Sequence, residues 1–199
     1  MNVDKRTGII FHLLSKKRHL KGKVGMMEKQ NKSQRNIINA FFLLRARKSL
    51  ERISVKEVCE IADVNKSTFY VYYRDIYDLS LSLQKEVIDR IAETLPSLSA
   101  VVEDQYQFTK DVLLAYEANK VQISTLFSGS QVYQLPALVK EKLLKILEEM
   151  PTTVNEERLR MVIDYKVYGS FFAFMESTTM NQAEKIEFIS KLAGEKKIS

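Results

Sequence analysis

The run Asn65-Lys66-Ser67-Thr68-Phe69-Tyr70-Val71-Tyr72-Tyr73-Arg74-Asp75 concentrates side chains that can do chemistry. On a helix that opens after Asn65, Phe69 and Tyr73 fall on one face and anchor it, while Lys66, Ser67, Thr68 and Tyr70 point outward. An ammonium, two hydroxyls and a phenol in that order make no nucleophile–base pair. They do make a set of hydrogen-bonding groups suited to phosphate oxygens and base edges. Other chemistries lack material. The chain has two histidines, His12 and His19, both near its start, and one cysteine. A metal site or a histidine-dependent triad has almost nothing to be built from. No Glu-x-x-His and no glycine-rich phosphate loop occurs. A small helical enzyme is the reading these absences count against; no catalytic residue, metal or cofactor is expected. Cys59 lies on the apolar side of its helix and reads as a small buried hydrophobe rather than a redox sensor.

The elements around that run are legible from their caps. Ser54-Val55-Lys56-Glu57 is a capping box, with serine as N-cap and glutamate three residues on. It opens a short helix carrying Val58, Ile61 and Ala62. Asp63-Val64 breaks it, at a place where the chain often needs positive φ; glycine is the usual choice there and aspartate tolerates it. Asn65 caps the next short helix. A supporting helix precedes both, from Ser33 to about Lys48, with Ile37, Ile38, Phe41, Phe42, Leu44 and Arg45 at helical spacing. Two short capped helices joined by a tight turn and backed by a third make a helix-turn-helix. Asp75 caps the helix that follows, which reads to about Leu95 before Pro96.

Charge divides the chain the same way. Residues 1–78 hold 17 Lys+Arg against 8 Asp+Glu, and residues 79–199 hold 14 against 17. A basic head on a mildly acidic body suggests a polyanion partner for the head. Residues 1–28 are a basic extension with three open readings. It is a flexible arm that touches phosphates, or a weak membrane-surface helix with Ile9, Ile10, Phe11, Leu13 and Leu14 as its apolar side, or a segment upstream of the true start at Met26 or Met27. The third is favoured, because Lys21-Gly22-Lys23-Val24-Gly25 requires purine-rich codons that resemble a bacterial ribosome-binding site. No apolar run approaches the roughly 18 residues that span a membrane. A cytoplasmic protein without stable membrane association is expected.

The run Ala62-Asp63-Val64-Asn65-Lys66-Ser67-Thr68-Phe69-Tyr70-Val71-Tyr72-Tyr73-Arg74-Asp75 resembles the signature of TetR-family transcriptional regulators, over about residues 33–80. Ser-Thr-Phe-Tyr, the following aromatic and a downstream Asp-x-x-Asp-Leu are specific together. The resemblance implies an N-terminal three-helix DNA-binding domain (29–78) and a C-terminal helical effector-binding and dimerisation domain (79–199). It implies an all-α chain of about nine helices. Carried over by position, Lys56 and Lys66 would reach guanine edges or phosphates, and Ser67, Thr68 and Tyr70 bases or backbone. Tyr72 would stand where a phosphate-contacting histidine is common. Ser54 or Val55 would set a helix N-terminus against phosphate, and Arg74 would partly replace a lysine that is here Ile76. Asp63 replaces the usual glycine.

In the second domain, helices are expected at about Val101–Asn119, Gln122–Phe127, Pro136–Glu149, Asn155–Ser177 and Asn181–Ala193. Their aromatic and methionine stripes read first as core or dimer interface. In a TetR-like protein a subset, Tyr106, Tyr116, Phe127, Met161, Tyr165 and Tyr168, would line a pocket for a small apolar or aromatic effector. The segment 161–177 is apolar on more than one face, which suits packing on its own domain and on a partner subunit. The implied protein is a homodimeric repressor that binds a palindromic double-stranded operator and is released by the effector. The alternative is an effector-free TetR-like dimer acting through a protein partner.

Overall fold

In a computed structural model, residues 32–95, 104–148, 156–177 and 179–195 are described. The basic extension 1–28 lies outside them. The described residues form nine α-helices and two short 3-10 turns: α1 (Lys32–Arg45), α2 (Val55–Ala62), α3 (Lys66–Tyr72), α4 (Ile76–Thr94), α5 (Gln105–Ala118), α6 (Lys120–Leu126), α7 (Gln134–Glu148), α8 (Glu156–Glu176) and α9 (Gln182–Gly194). No strand occurs among the described residues. The helices begin where short polar side chains offer caps. Ser54, Asn65, Asp75, Asp104 and Asn181 each accept the backbone N–H three residues on. Such a cap satisfies one of the otherwise orphaned first-turn donors.

Two compact units result. The first holds α1 up to Leu44 together with Ser54–Arg74; the second holds Arg45–Ile53 and everything from Asp75 on. The sequence-based division at residue 78 falls one turn into α4. In the first unit Ile37, Phe41, Val58 and Phe69 are fully buried, with Ala40, Ala62 and Tyr73 close to it. The polar side of α1 holds the same core from outside. Asn36 Nδ2 donates to the carbonyl of Ala62, the last residue of α2, at 3.2 Å, and Gln34 Nε2 donates to the Tyr73 hydroxyl at 3.3 Å. Burying side chains of this size stabilises the unit by about 1.5–3 kcal/mol each relative to exposure.

In the second unit α4 packs on α6 and α7, α7 on α8, and α9 on α5 and α8. Leu113, Phe174, Ile186 and Ile189 form one buried cluster, with Tyr116 against it. The end of α9 comes so close to α5 that a Cβ on Gly194 would sit 2.8 Å from Cβ of Tyr106. A polar knot ties the segment after α1 to the α6–α7 connection. Arg45, 4% exposed, donates to the carbonyls of Lys48 (2.9 Å), Leu126 (3.5 Å) and Ser128 (3.4 Å) and to Ser128 Oγ (2.8 Å). Burial pushes its guanidinium pKa down, and Glu51 pulls the other way. The fully buried Gln84 donates to the same Leu126 carbonyl at 3.1 Å. Among the described residues, no helix is long and apolar enough to cross a membrane.

Candidate nucleic-acid interface

The first unit presents α2, a tight turn and α3. Both partners of the capping box are in place at α2: Ser54 Oγ accepts from Glu57 N at 3.2 Å, and Ser54 N donates to Glu57 Oε2 at 3.0 Å. The Ser54 hydroxyl also donates to that carboxylate, at 3.0 Å, so its proton is already used within the cap. The turn rests on Asp63, which adopts φ 53°, ψ 51°, the left-handed conformation read from the sequence. It is the non-glycine residue with positive φ among those described. The N–H groups of Asp63 and Val64 both return to the Cys59 carbonyl, the latter at 3.1 Å, closing the C-terminus of α2.

At the start of α3 one oxygen organises the local chemistry. Asn65 Oδ1 accepts from Thr68 N at 2.9 Å, Thr68 Oγ1 at 2.8 Å and Ser67 Oγ at 2.6 Å. Phe69 is fully buried and Tyr73 6% exposed, so the inward face is the one the sequence predicts. Tyr70, 55% exposed, stands edge-on to the Phe69 ring (5.6 Å, 90°), which orients it. Lys66 and Ser67 are exposed and Thr68 is half-buried. Tyr72 is half-buried beside Tyr73, with ring centroids 6.4 Å apart, and Arg74 is exposed. Val55 is half-buried; Lys56 is exposed and pairs along its own helix with Glu60 at 3.7 Å. Ile76, which stands where the resemblance would place a lysine, is buried at the first position of α4.

Lys56 and Lys66 meet across a shallow depression of about 430 Å³ lined also by Cys59, Glu60, Asp63, Val64 and Asn65. Cys59 is 5% exposed, and burial pushes its thiol pKa up while Lys66 pulls it down. A buried neutral thiol is a poor nucleophile. One exposed residue of α3 escaped the sequence reading. Val71, 75% exposed, shares the outward face of Ser67 and Tyr70. An apolar residue inside an aromatic-rich run reads as core; only its place a half-turn from Phe69 signals otherwise.

The six residues assigned to an effector pocket have unlike surroundings in the second unit. The Tyr106 hydroxyl donates to Glu187 Oε2 at 2.9 Å and accepts from Lys110 Nζ at 3.0 Å. Tyr116 packs edge-on against Phe174 (5.4 Å, 84°), and burial pushes its phenol pKa up. Phe127 is buried. Tyr168 is half-buried, whereas Met161 and Tyr165 are 66% and 75% exposed.

With this geometry in place, the comparisons with known proteins become informative. No protein-family profile matches the chain, and no curated protein does. Among solved structures it is similar to the fatty acid degradation regulator FadR from Bacillus halodurans, with a TM-score of 0.56 and 14% identity, covering 85% of this chain and 98% of that one. At that identity the likeness is one of fold. The described residues have the all-helical fold of that regulator, with a helix-turn-helix in the N-terminal unit.

Proposed function

We propose that the chain is a DNA-binding transcriptional regulator of the TetR-like type, a homodimer whose two helix-turn-helix heads read a near-palindromic operator in successive major grooves. The observation that carries this reading is the outward face of α3. Ser67, Tyr70 and Val71 stand exposed between Lys66 and Arg74, on a two-turn helix held rigidly from below by Phe69 and Tyr73. Dimerisation is supported by α8. Met161, Tyr165, Tyr168, Phe172 and Met175 recur at alternating steps of four and three, which places them on one stripe, and four of the five are exposed. Phe188 and Leu192 of α9 are also apolar and 50% and 51% exposed. Such a surface suits a second copy of the chain. Met161 and Tyr165 are therefore assigned to that interface in preference to an effector pocket. Repression, with release by a small apolar or aromatic effector, is the accompanying proposal.

Selection of genomic fragments by the purified full chain at two salt concentrations tests this, beside a Lys66→Ala/Tyr70→Ala variant. Recovery of a palindromic site that the variant loses is the expected result. Only weak, sequence-independent binding that vanishes at the higher salt would overturn it, because that is the signature of phosphate contacts alone.

A further inference from the structure

We infer that Val71 determines specificity at this interface by reading the 5-methyl group of thymine, so that each operator half-site carries a required thymine beneath α3. The inference rests on the DNA-binding reading above and names what the recognising face prefers. Val71 is 75% exposed, more than Leu43 (56%), Ile61 (49%) or Tyr70 (55%) of the same unit. It contributes little to folding at that exposure, and it stands on the outward face of α3, one residue before the helix ends. Ser67 lies one turn before it and Tyr70 beside it, while Lys66 and Arg74 bracket the helix with positive charge. The occupant this arrangement suits is a polyanion that offers an apolar group between its charges.

In the major groove of DNA that group is the thymine methyl, the apolar group that projects among the donors and acceptors of the base edges. The exposed positions between Lys66 and Arg74 point the same way. Ser67, Tyr70 and Val71 include no arginine, asparagine or glutamine, the side chains that make two-point contacts to guanine or adenine. At Val71 itself discrimination falls to shape and apolar contact.

The test begins with selection of a binding site from random duplexes by the full chain. Each thymine of that site is then replaced by deoxyuridine, which removes the methyl and nothing else, and affinity is read by fluorescence anisotropy at fixed salt. One position per half-site should lose about fourfold, the value of one buried methyl group. In Val71→Ala that step should fall to nearly nothing with the melting temperature unchanged, since the side chain is exposed. Val71→Thr, which keeps one γ-methyl, should retain part of it. A recovered site at which every thymine tolerates deoxyuridine would overturn the inference. So would a step that persists undiminished in Val71→Ala. Failure to recover any specific site would instead bring down the DNA-reading proposal, and the inference with it.

Discussion

Asp63 gives the sharpest test of the turn that sets α3 against α2. Its φ of 53° and ψ of 51° place it in the left-handed region, at the C-terminus of α2, with its carboxylate exposed. Two separable costs follow. An L-residue with a Cβ loses about 1–2 kcal/mol in that conformation, less for aspartate and asparagine, whose short polar side chains bond locally. A carboxylate at a helix C-terminus opposes the helix dipole by about 0.3–1 kcal/mol, towards the lower end when exposed. Asp63→Asn removes the charge and keeps the conformational tolerance, so it should stabilise by about 0.3–0.5 kcal/mol. Asp63→Gly removes both costs, but gives back about 0.4–1 kcal/mol through the greater freedom of the unfolded chain. Its net effect should be near zero or slightly stabilising. Asp63→Ala removes the charge but meets the full steric penalty. The informative comparison is alanine with asparagine, which carry the same charge: alanine should be less stable by about 1 kcal/mol. For a chain of this length that is about 2–4 °C in melting temperature if unfolding is two-state. Circular dichroism melts with matching urea titrations measure it. DNA affinity read well below the melting range should rise equally in the asparagine and alanine variants, since both lose one negative charge beside a polyanion. If alanine matched or exceeded asparagine in stability, the turn would not be left-handed in solution and the geometry assigned to α3 would fail with it.

Three further outcomes are expected. Glu187 is held at a pKa of about 2 by the hydrogen bonds from Lys110, then Tyr106 and Lys191. Its contribution to stability is complete above its ordinary pKa and is lost as pH falls towards 2, so Glu187→Gln should flatten the decline of the urea midpoint between about pH 5 and 2; parallel declines would refute the assignment. Arg45→Met and Gln84→Met should each destabilise, by about 2–3 and 1–2 kcal/mol. Together they should cost at least about 0.5 kcal/mol more than the sum, because only the double variant strips the buried Leu126 carbonyl of both donors; additive urea midpoints would count against the shared acceptor. If the proposed homodimer forms through α8, Met161→Glu/Tyr165→Glu should yield a monomer by light scattering without lowering helix content; a mass equal to that of a dimeric parent chain would refute that assignment.

The legible parts of this fold were those written in local chemistry. Ser54, Asn65 and Asp75 announce helix starts because capping is decided within four residues, and each caps in the structure. Asp63 announces its own backbone, since few residues other than glycine tolerate the conformation that the break requires. The helices of the second unit follow from apolar spacing and from breaks such as Gly129, whose φ is 63°. Long-range chemistry left no such trace. Arg45 falls on the apolar face of α1 by spacing, but its partners at Leu126 and Ser128 lie 81 and 83 residues away. The ties of Tyr106 and Lys110 to Glu187 span 81 and 77 residues. The aromatic stripes were legible as stripes and no further. A helix that is apolar on several faces, as α8 is, does not say by spacing which face is covered by its own chain; exposure separates Phe174, which is buried, from Tyr165, which is not.

The cap of α3 also changes what Ser67 and Thr68 can do. Both hydroxyl protons go to Asn65 Oδ1, at 2.6 and 2.8 Å, which leaves lone pairs rather than protons facing outward. Phosphate oxygens only accept, so these two hydroxyls cannot grip the backbone without giving up their bonds to Asn65 Oδ1, while the cap itself, the bond from Thr68 N, would stay. They can accept from an exocyclic amino group, N6 of adenine or N4 of cytosine. Within the proposed reading, phosphate contact then falls to Lys66, Arg74 and backbone N–H groups, and the serine and threonine join Val71 as readers of bases. The same logic applies at Ser54, whose hydroxyl proton is used by Glu57. The hydroxyls of Ser54, Ser67 and Thr68 are thus engaged within the first turns of the two short helices. Within the proposed reading the recognition face of α3 carries Lys66 and Arg74 at its ends, with lone pairs, a ring and a branched apolar side chain between them.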